Sequence, residues 1–199
     1  DGEAAIPGFL DDYAFLVQGL VDLYESDFDL RWIREALAIN DEMVARFADE
    51  SGGFFDSAEE HASPLARTKQ HDGSMPSGNS VAAMNLLRLG ELTGEAALRD
   101  RARQTLEAMQ SQMDAYPTAF PFALSSVDCL LSGQREIVIA GSLDHPAAKE
   151  MLRVIRSKYL PNKVVAFADA DDAGAASLLP LTRGRRQPAG KPAAFVCEN

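Results

Sequence analysis

The sequence is poor in the residue types that mark several protein classes. It has 2 cysteines and 3 histidines in 199 residues, and Cys129 and Cys197 make no metal-binding or redox spacing. No apolar run approaches the ~20 residues that a membrane-spanning helix needs. The first residues lack the basic and apolar regions of a signal peptide. We therefore expect a cytoplasmic protein with reduced cysteines, with no metal, no cofactor and no membrane partner.

Negative charge is concentrated in the first part of the chain. Residues 1–60 hold 16 acidic and 3 basic side chains, whereas the remainder holds 14 and 16, and the formal net charge is −11. Such a surface would repel the phosphates of a nucleic acid, so we expect no nucleic-acid partner. A solvated acidic surface that aids solubility is the simplest interpretation.

Apolar residues recur at helical spacing in five stretches before residue 132. Asp29 suits the N-cap of the second stretch, Gly94 follows the third in a position that favours glycine, and Pro117 suits the first turn of the fifth. Only two residues separate the first two stretches, which must therefore fold back antiparallel. The predicted helices span about 10–26, 29–48, 78–93, 95–114 and 117–131.

The first two helices and the next two are related by an offset of 66 residues. The offset places Leu20 on Leu86, Leu23 on Leu89, Ala36 on Ala102 and Met43 on Met109. We interpret this match as one helical hairpin that is used twice. Residues 49–76 form a long connection between the hairpins, in which 52–56 and 65–69 predict two short strands. A connection of this length is usually functional when it is ordered.

The apolar period changes after residue 133. Residues 136–140 and 163–167 predict two strands, with a helix between them for which Asp144 is the expected N-cap. Their short links imply a parallel βαβ unit. Residues 193–197 predict a third strand, after a loose loop at 169–192. The sequence thus predicts a mainly α protein, with an α/α segment at 1–132 and a small α/β (βαβ) subdomain at 133–199.

Seven motifs, which occur in order along nearly the whole chain, carry a family resemblance. They are Leu10-Asp-Asp-Tyr-Ala-Phe-Leu16, Leu23-Tyr-Glu25, Gly52-Gly-Phe-Phe-Asp56, Asp72-Gly73, Pro76-Ser-Gly-Asn-Ser80, Tyr159-Leu-Pro-Asn-Lys163 and Val196-Cys-Glu-Asn199. With these motifs the chain resembles the C-terminal part of the thioredoxin-domain-containing proteins related to YyaL and to the spermatogenesis-associated thioredoxin-like proteins.

The resemblance implies an N-terminal thioredoxin-like domain followed by an (α/α)6-toroid, similar to six-hairpin glycosidases and N-acylglucosamine 2-epimerases. The thioredoxin-like domain and the early toroid helices are not among these 199 residues, and the first residue is not Met. We therefore expect a partial toroid from a longer protein, with the thioredoxin-like domain as a partner. The resemblance implies no defined reaction.

Two polar clusters fall at equivalent positions of the repeat. The offset places Asp11 on Ser77, Asp12 on Gly78 and Tyr13 on Asn79, each at the start of the first helix of a hairpin. In a toroid the leading ends of such helices converge on one cavity, and their exposed N–H groups suit anionic or hydroxyl-rich ligands. Together with the similarity to six-hairpin glycosidases and epimerases that the resemblance implies, the clusters lead us to expect a carbohydrate-binding or carbohydrate-processing site, hydrolase- or epimerase-like, for a sugar or uronate.

Ten residues are assigned to this site. Carboxylates and imidazoles serve as acids and bases in glycosidases and epimerases, so the catalytic candidates are Asp11, Asp12, His71 and Asp72. The binding candidates are Tyr13, Arg67, Lys69, Ser77, Gly78 and Asn79. Structural roles stay open for several of these residues. Asp11 and Ser77 also suit N-caps, and Tyr13 also suits a hydrophobic core. Arg67 and Lys69 also suit a solvated surface. The alternative function is a non-catalytic scaffold or partner-binding domain for the thioredoxin-like module.

Overall fold

Helices make up most of the chain, as the sequence predicts. The computed structural model describes residues 7–58, 71–169 and 173–198. Within these ranges the elements are α1 (Leu10–Asp27), α2 (Leu30–Phe47), α3 (Gly78–Thr93), α4 (Ala96–Ala115), α5 (Pro121–Ser132), β1 (Arg135–Ala140), α6 (Pro146–Arg156), β2 (Lys163–Ala168), α7 (Ala173–Leu178) and β3 (Ala193–Glu198). No described helix combines the length and the apolar character that a bilayer crossing requires.

The first four helices form two hairpins with equivalent turns. Phe28 ends α1 and Gly94 ends α3, and both take the left-handed conformation, with φ of 62° and 70°. This conformation at a helix end normally favours glycine. Phe28 occupies it with its ring packed on Tyr24 and Phe167, at centroid distances of 5.7 and 5.6 Å. The 66-residue offset therefore holds for the turns as well as for the sequence.

The first helices of the hairpins lie side by side. α3 packs between α1 and α5, while α2 packs on α1 and α4 packs on α3. Because α3 has neighbours on several sides, most of its residues are buried, including the polar Asn79, Ser80 and Asn85. Asn85 donates a hydrogen bond of 2.7 Å from Nδ2 to the carbonyl oxygen of Ala14, which fixes α3 against α1.

The three strands form one sheet with the order β2-β1-β3. β1 pairs in parallel with β2, with Ile137 opposite Val165, and antiparallel with β3, with Ile137 opposite Val196. One hydrophobic cluster contains residues of the sheet and of α1 and α3, such as Val17 and Leu89. The sheet thus packs directly on the helical layer, and the division of the chain at 132/133 stays a prediction.

A partly buried group of ion pairs joins the helices to the sheet. Glu25 of α1 accepts hydrogen bonds from Lys163 Nζ at 2.9 Å and from the Val165 N–H at 3.3 Å. Arg88 of α3 lies 3.3 Å from the same carboxylate and 2.7 Å from Asp22. The side chains of Glu25 and Arg88 are only 12% and 13% exposed, so these charges interact in a medium less polar than water.

Two helix starts differ from the sequence prediction, each beside a proline. The predicted fifth helix starts at Pro117, but the structure has a 3₁₀ turn at 117–119 and α5 begins at Pro121. Phe120, which is buried, takes a non-helical conformation because the residue before a proline disfavours the α region. The N-cap of α6 is His145 rather than Asp144, since Pro146 holds the first helical position and His145 Nδ1 accepts the Ala147 N–H at 3.1 Å.

Two connections also differ from their predictions. Residues 169–192, predicted as a loose loop, contain α7 and 3₁₀ turns at 180–182 and 188–190, and Leu179 between them is fully buried. Of the predicted ribbon, one antiparallel bridge between Ala48 and Phe54 is seen, and its second strand at 65–69 lies outside the described residues. The 169–192 connection is ordered because some of its apolar side chains, such as Leu179, are buried. Its composition alone does not reveal this burial.

Candidate functional site

The first turns of α1 and α3 lie against each other. A Cβ atom on Gly78 would come within 2.5 Å of Asp11 Oδ1 and 2.7 Å of Leu10 Cγ, so this contact has no room for a side chain. The Asp11 carboxylate accepts a hydrogen bond from the backbone of Gly78. The Leu10 N–H donates to the carbonyl oxygen of Asp56 at 2.9 Å. Two helix starts and the 52–56 segment therefore meet at one place.

A cavity of about 480 Å³ opens at this place, and we call it the rim cavity. Its six lining residues are Phe9, Asp11, Asp12, Phe15, Asp56 and Met75. Three of them carry carboxylates, and the other three present apolar surface. Phe9 is 54% exposed and Met75 61% exposed, so these side chains are open to a ligand from solution.

Burial raises the pKa of Asp11 above its ordinary value of 3.8. The nearby charges of Asp56 and Asp12 raise it further, while the hydrogen bond from the Gly78 backbone lowers it. Burial is the largest of these causes. Asp11 therefore keeps its proton to a higher pH than its ordinary pKa would allow.

Asp12 and Tyr13 hold the start of α1 in place. The Phe9 N–H donates to Asp12 Oδ2 at 2.9 Å, so Asp12 satisfies one of the unpaired donors of the first turn. Tyr13 packs edge-on against Phe47 at a centroid distance of 5.2 Å. The half-buried Tyr13 packs against a hydrophobic cluster that joins the two hairpins, and it is not a lining residue of the rim cavity.

Ser77 and Asn79 make internal hydrogen bonds at the start of α3. Ser77 Oγ accepts the Ser80 N–H at 3.3 Å, which is the N-cap interaction. Asn79 Oδ1 accepts the Phe54 N–H and Asn79 Nδ2 donates to the Phe54 carbonyl, both at 2.8 Å. The oxygen and the nitrogen of the Asn79 side-chain amide thus both bond to the backbone of Phe54. Ser77 and Asn79 are both buried.

Asp72 acts as a cap for two helices that it does not belong to. Its Oδ1 accepts the Ser77 N–H at 2.8 Å, and its Oδ2 accepts the N–H groups of Phe122 and Ala123 at 2.9 and 3.1 Å. No side chain of α5 itself caps that helix. Asp72 lines a second, smaller cavity of about 290 Å³ between the 72–76 segment and the start of α5.

The eight predicted site residues that the structure describes do not share one wall. Asp11 and Asp12 line the rim cavity above Gly78, whereas Tyr13, Ser77 and Asn79 are used in packing and internal hydrogen bonds. His71 is exposed and stacks edge-on near Phe120 at 6.4 Å. Arg67 and Lys69 lie outside the described residues.

Four lining residues were missed in the sequence. Asp56 belongs to the Gly52-Gly-Phe-Phe-Asp56 motif, and a polar residue that ends an aromatic run was the available signal. Phe15 gave no such signal, because an apolar residue inside a predicted helix is normally core, and Phe9 and Met75 lie outside the predicted helices as single apolar residues. Exposure of Phe9 and Met75 is a property of the folded chain.

Sequence comparison places the chain among known proteins. No family model matches it. It is 37% identical over 196 residues to spermatogenesis-associated protein 20 of Homo sapiens, and 36% identical to the protein of that name in Rattus norvegicus, with 96% of this chain covered. The chain belongs to the spermatogenesis-associated protein 20 family. This is the family that the ordered motifs indicated.

The chain spans about a quarter of the length of these curated relatives. An uncharacterised protein of Caenorhabditis elegans, B0495.5, is 25% identical over 198 residues, and the match covers 99% of this chain and 27% of that protein. The matched share fits the C-terminal part of a spermatogenesis-associated protein 20 relative. What a whole protein of this family does therefore depends also on residues that this chain does not contain.

Proposed function

We propose that this segment of a spermatogenesis-associated protein 20 relative supplies one wall of a carbohydrate-binding site at the rim cavity. The observation that supports the proposal is the pairing of three carboxylates with three apolar side chains in one open cavity. Carboxylate oxygens accept hydrogen bonds from sugar hydroxyls, and aromatic rings provide flat apolar surface for a sugar ring. The similarity to six-hairpin glycosidases that the resemblance implies agrees with this chemistry, although a fold alone does not fix a function.

Asp11 is the proposed general acid if the site is hydrolytic. A glycosidase acid must keep its proton near the working pH, and burial raises the pKa of Asp11 in that direction. Asp56 is the proposed second carboxylate, since it lines the same cavity from another segment of the chain. None of the six described lining residues is a histidine, so within this proposal hydrolysis or binding is ranked before epimerisation.

The charge of the lining favours neutral sugars over uronates. The six lining residues among the described part of the chain include three acids and no lysine or arginine, so the carboxylate of a uronate would meet like charges from them. The two basic residues that were assigned to an anionic ligand, Arg67 and Lys69, lie outside the described residues. The proposal therefore ranks neutral oligosaccharides first.

A binding panel tests this proposal. Wild type, Asp11→Asn and Asp56→Asn are titrated with neutral cello-, xylo-, malto- and chito-oligosaccharides and with oligouronates, by calorimetry and thermal shift. We expect a neutral oligosaccharide to bind wild type and both variants to weaken it about tenfold, since each loses an acceptor to the ligand. Asp41→Asn is the matched control, because Asp41 is exposed on α2 outside the cavity.

Binding that is equal in wild type and both cavity variants would remove the rim cavity from the site. Release of reducing ends by wild type and not by Asp11→Asn would extend the proposal from binding to hydrolysis. Asn79→Ala is a poor probe, because Asn79 holds Phe54 in place. The partner-binding alternative needs an apolar contact surface, and the rim cavity with its three carboxylates is not that surface, so this binding panel tests only the carbohydrate proposal.

A further inference from the structure

A surface feature larger than either the rim cavity or the cavity at Asp72 lies between α4 and α5. It is a groove with a volume of about 640 Å³, and we call it the α4/α5 groove. Leu106 and Met113 of α4 form its floor, where they are nearly fully buried, and Leu124, Val127 and Leu131 of α5 form one wall. Its lining shares no residue with the rim cavity.

The wall of the α4/α5 groove exposes large apolar side chains. Leu131 is 79% exposed and Leu124 is 39% exposed, and their spacing of seven residues puts both on one face of α5. No described residue of the chain covers them. Exposed apolar surface that continues a buried cluster usually marks a contact with another polypeptide.

The shape of the groove suits one α-helix. The lining residues of α4 run from Arg103 to Asp114, which corresponds to about 16 Å along the helix axis. Polar side chains such as Arg103, Glu107 and Asp114 edge the apolar floor. A helix with an apolar stripe and polar flanks would therefore pack its apolar side chains on the floor and place its polar side chains beside the polar edge.

The repeat shows which position is unpaired. α1 is followed by its antiparallel partner α2, and α3 by its partner α4, but α5 is followed by β1. α5 packs mainly on α3 and has no helical partner of its own among the described residues. The groove lies beside α5 and α4, where a partner of α5 would complete the pattern of the two hairpins.

The length of the relatives indicates where such a helix would come from. This chain spans about a quarter of spermatogenesis-associated protein 20, so the longer polypeptide contains far more sequence than the groove needs. We propose that an amphipathic helix from the part of the longer polypeptide outside this chain occupies the α4/α5 groove. The helix carries apolar residues at i, i+3 or i+4, and i+7 over about three turns, to match the lining of α4.

Thiol footprinting tests the occupant. Leu131→Cys, and in a second variant Leu124→Cys, are made both in this chain alone and in the full-length protein, in a Cys197→Ser background. We expect the thiol at either position to react with maleimide about tenfold more slowly in the full-length protein, because the bound helix shields it. Val154→Cys is the matched control, since Val154 is 44% exposed on α6 and we expect its rate to change by less than about twofold.

A photo-crosslinker attached through Leu131→Cys identifies the neighbour by mass spectrometry. A cross-link to a helical segment outside this chain supports the proposal. Equal labelling rates in the two forms overturn it, and so does a cross-link to a second copy of this chain or to residues 59–70. Because Leu131 is largely exposed, the substitution leaves the fold intact, which circular dichroism of the chain alone checks.

Discussion

Removal of the Asp72 carboxylate should loosen α5 from the rest of the molecule. Asp72 accepts three backbone hydrogen bonds, one from the start of α3 and two from the first turn of α5. In Asp72→Ala these three N–H groups lose their acceptor, and two of the bonds are buried. A segment fifty residues away in sequence therefore determines how well α5 begins.

The magnitude follows from the bonds that are lost. A hydrogen bond to a charged group contributes about 1.5–3 kcal/mol, and loss of a cap costs about 1 kcal/mol. The three bonds share one carboxylate and are not additive, so we expect Asp72→Ala to lower the free energy of unfolding by about 3 kcal/mol. Asp72→Asn keeps one acceptor oxygen and should cost about 2 kcal/mol.

Urea unfolding followed by far-ultraviolet circular dichroism measures this change. We expect a lower midpoint with an unchanged m-value, and a melting temperature reduced by about 6–12 °C for Asp72→Ala. Hydrogen exchange gives the local readout, since the Phe122 and Ala123 amides should exchange faster than those of α2. The control is Asp41→Ala on the exposed face of α2, which should change little. A cost below about 0.5 kcal/mol for Asp72→Asn, or unchanged exchange at Phe122 and Ala123, would refute the reasoning.

Three further predictions concern the helix starts and the joint with the sheet. Gly78→Ala should cost about 1–3 kcal/mol in urea unfolding, because its Cβ would overlap Asp11 and Leu10, whereas Gly184→Ala, with open space around it, should show only the cost of its positive φ. Asp11→Asn should be more stable than wild type at neutral pH but not near pH 3. Because the pKa of Asp11 is higher in the folded protein than in the unfolded chain, folded wild type binds this proton more tightly, and the stabilisation from the bound proton is lost as pH rises from 3.8 through the pKa of the folded state. A difference in melting temperature between Asp11→Asn and wild type that is the same at all pH values would contradict this. Glu25→Gln should cost about 2 kcal/mol, because Lys163 and Arg88 lose a partly buried partner, while Glu198→Gln in the exposed pair with Arg135 should cost about 0.5 kcal/mol or less in the same urea assay.

Local signals were enough to predict most of the helices and all three strands. Ser77 and Gly94 bound α3 because a cap and a left-handed end are properties of single residues. The offset of 66 residues predicted the equivalence of the two hairpin turns, because a repeated packing arrangement repeats its apolar positions. The caps and helix ends depend on neighbours within a few residues, and the repeat is found by comparing two parts of the sequence.

The roles of the site residues depended on contacts between distant segments. The sequence around Asp72 resembles a ligand-binding loop, but its carboxylate is used by α5, fifty residues further on. Asn79 looked available for a ligand because Ser77 already caps α3, yet its amide pairs with Phe54. Such pairings are set by tertiary packing, which no local pattern of polar residues specifies.

The carboxylate of Glu25 has a consequence for how the sheet meets other chains. Of the two outer strands, β2 has the Val165 N–H engaged by Glu25, with Lys163 bound to the same side chain. An incoming strand would have to displace a paired charge there before it gained a backbone bond. Residues 164–168 of β2 are also almost fully buried. Unwanted polymerisation through β2 is therefore opposed both by the cover over this strand and by the same group that attaches the sheet to α1.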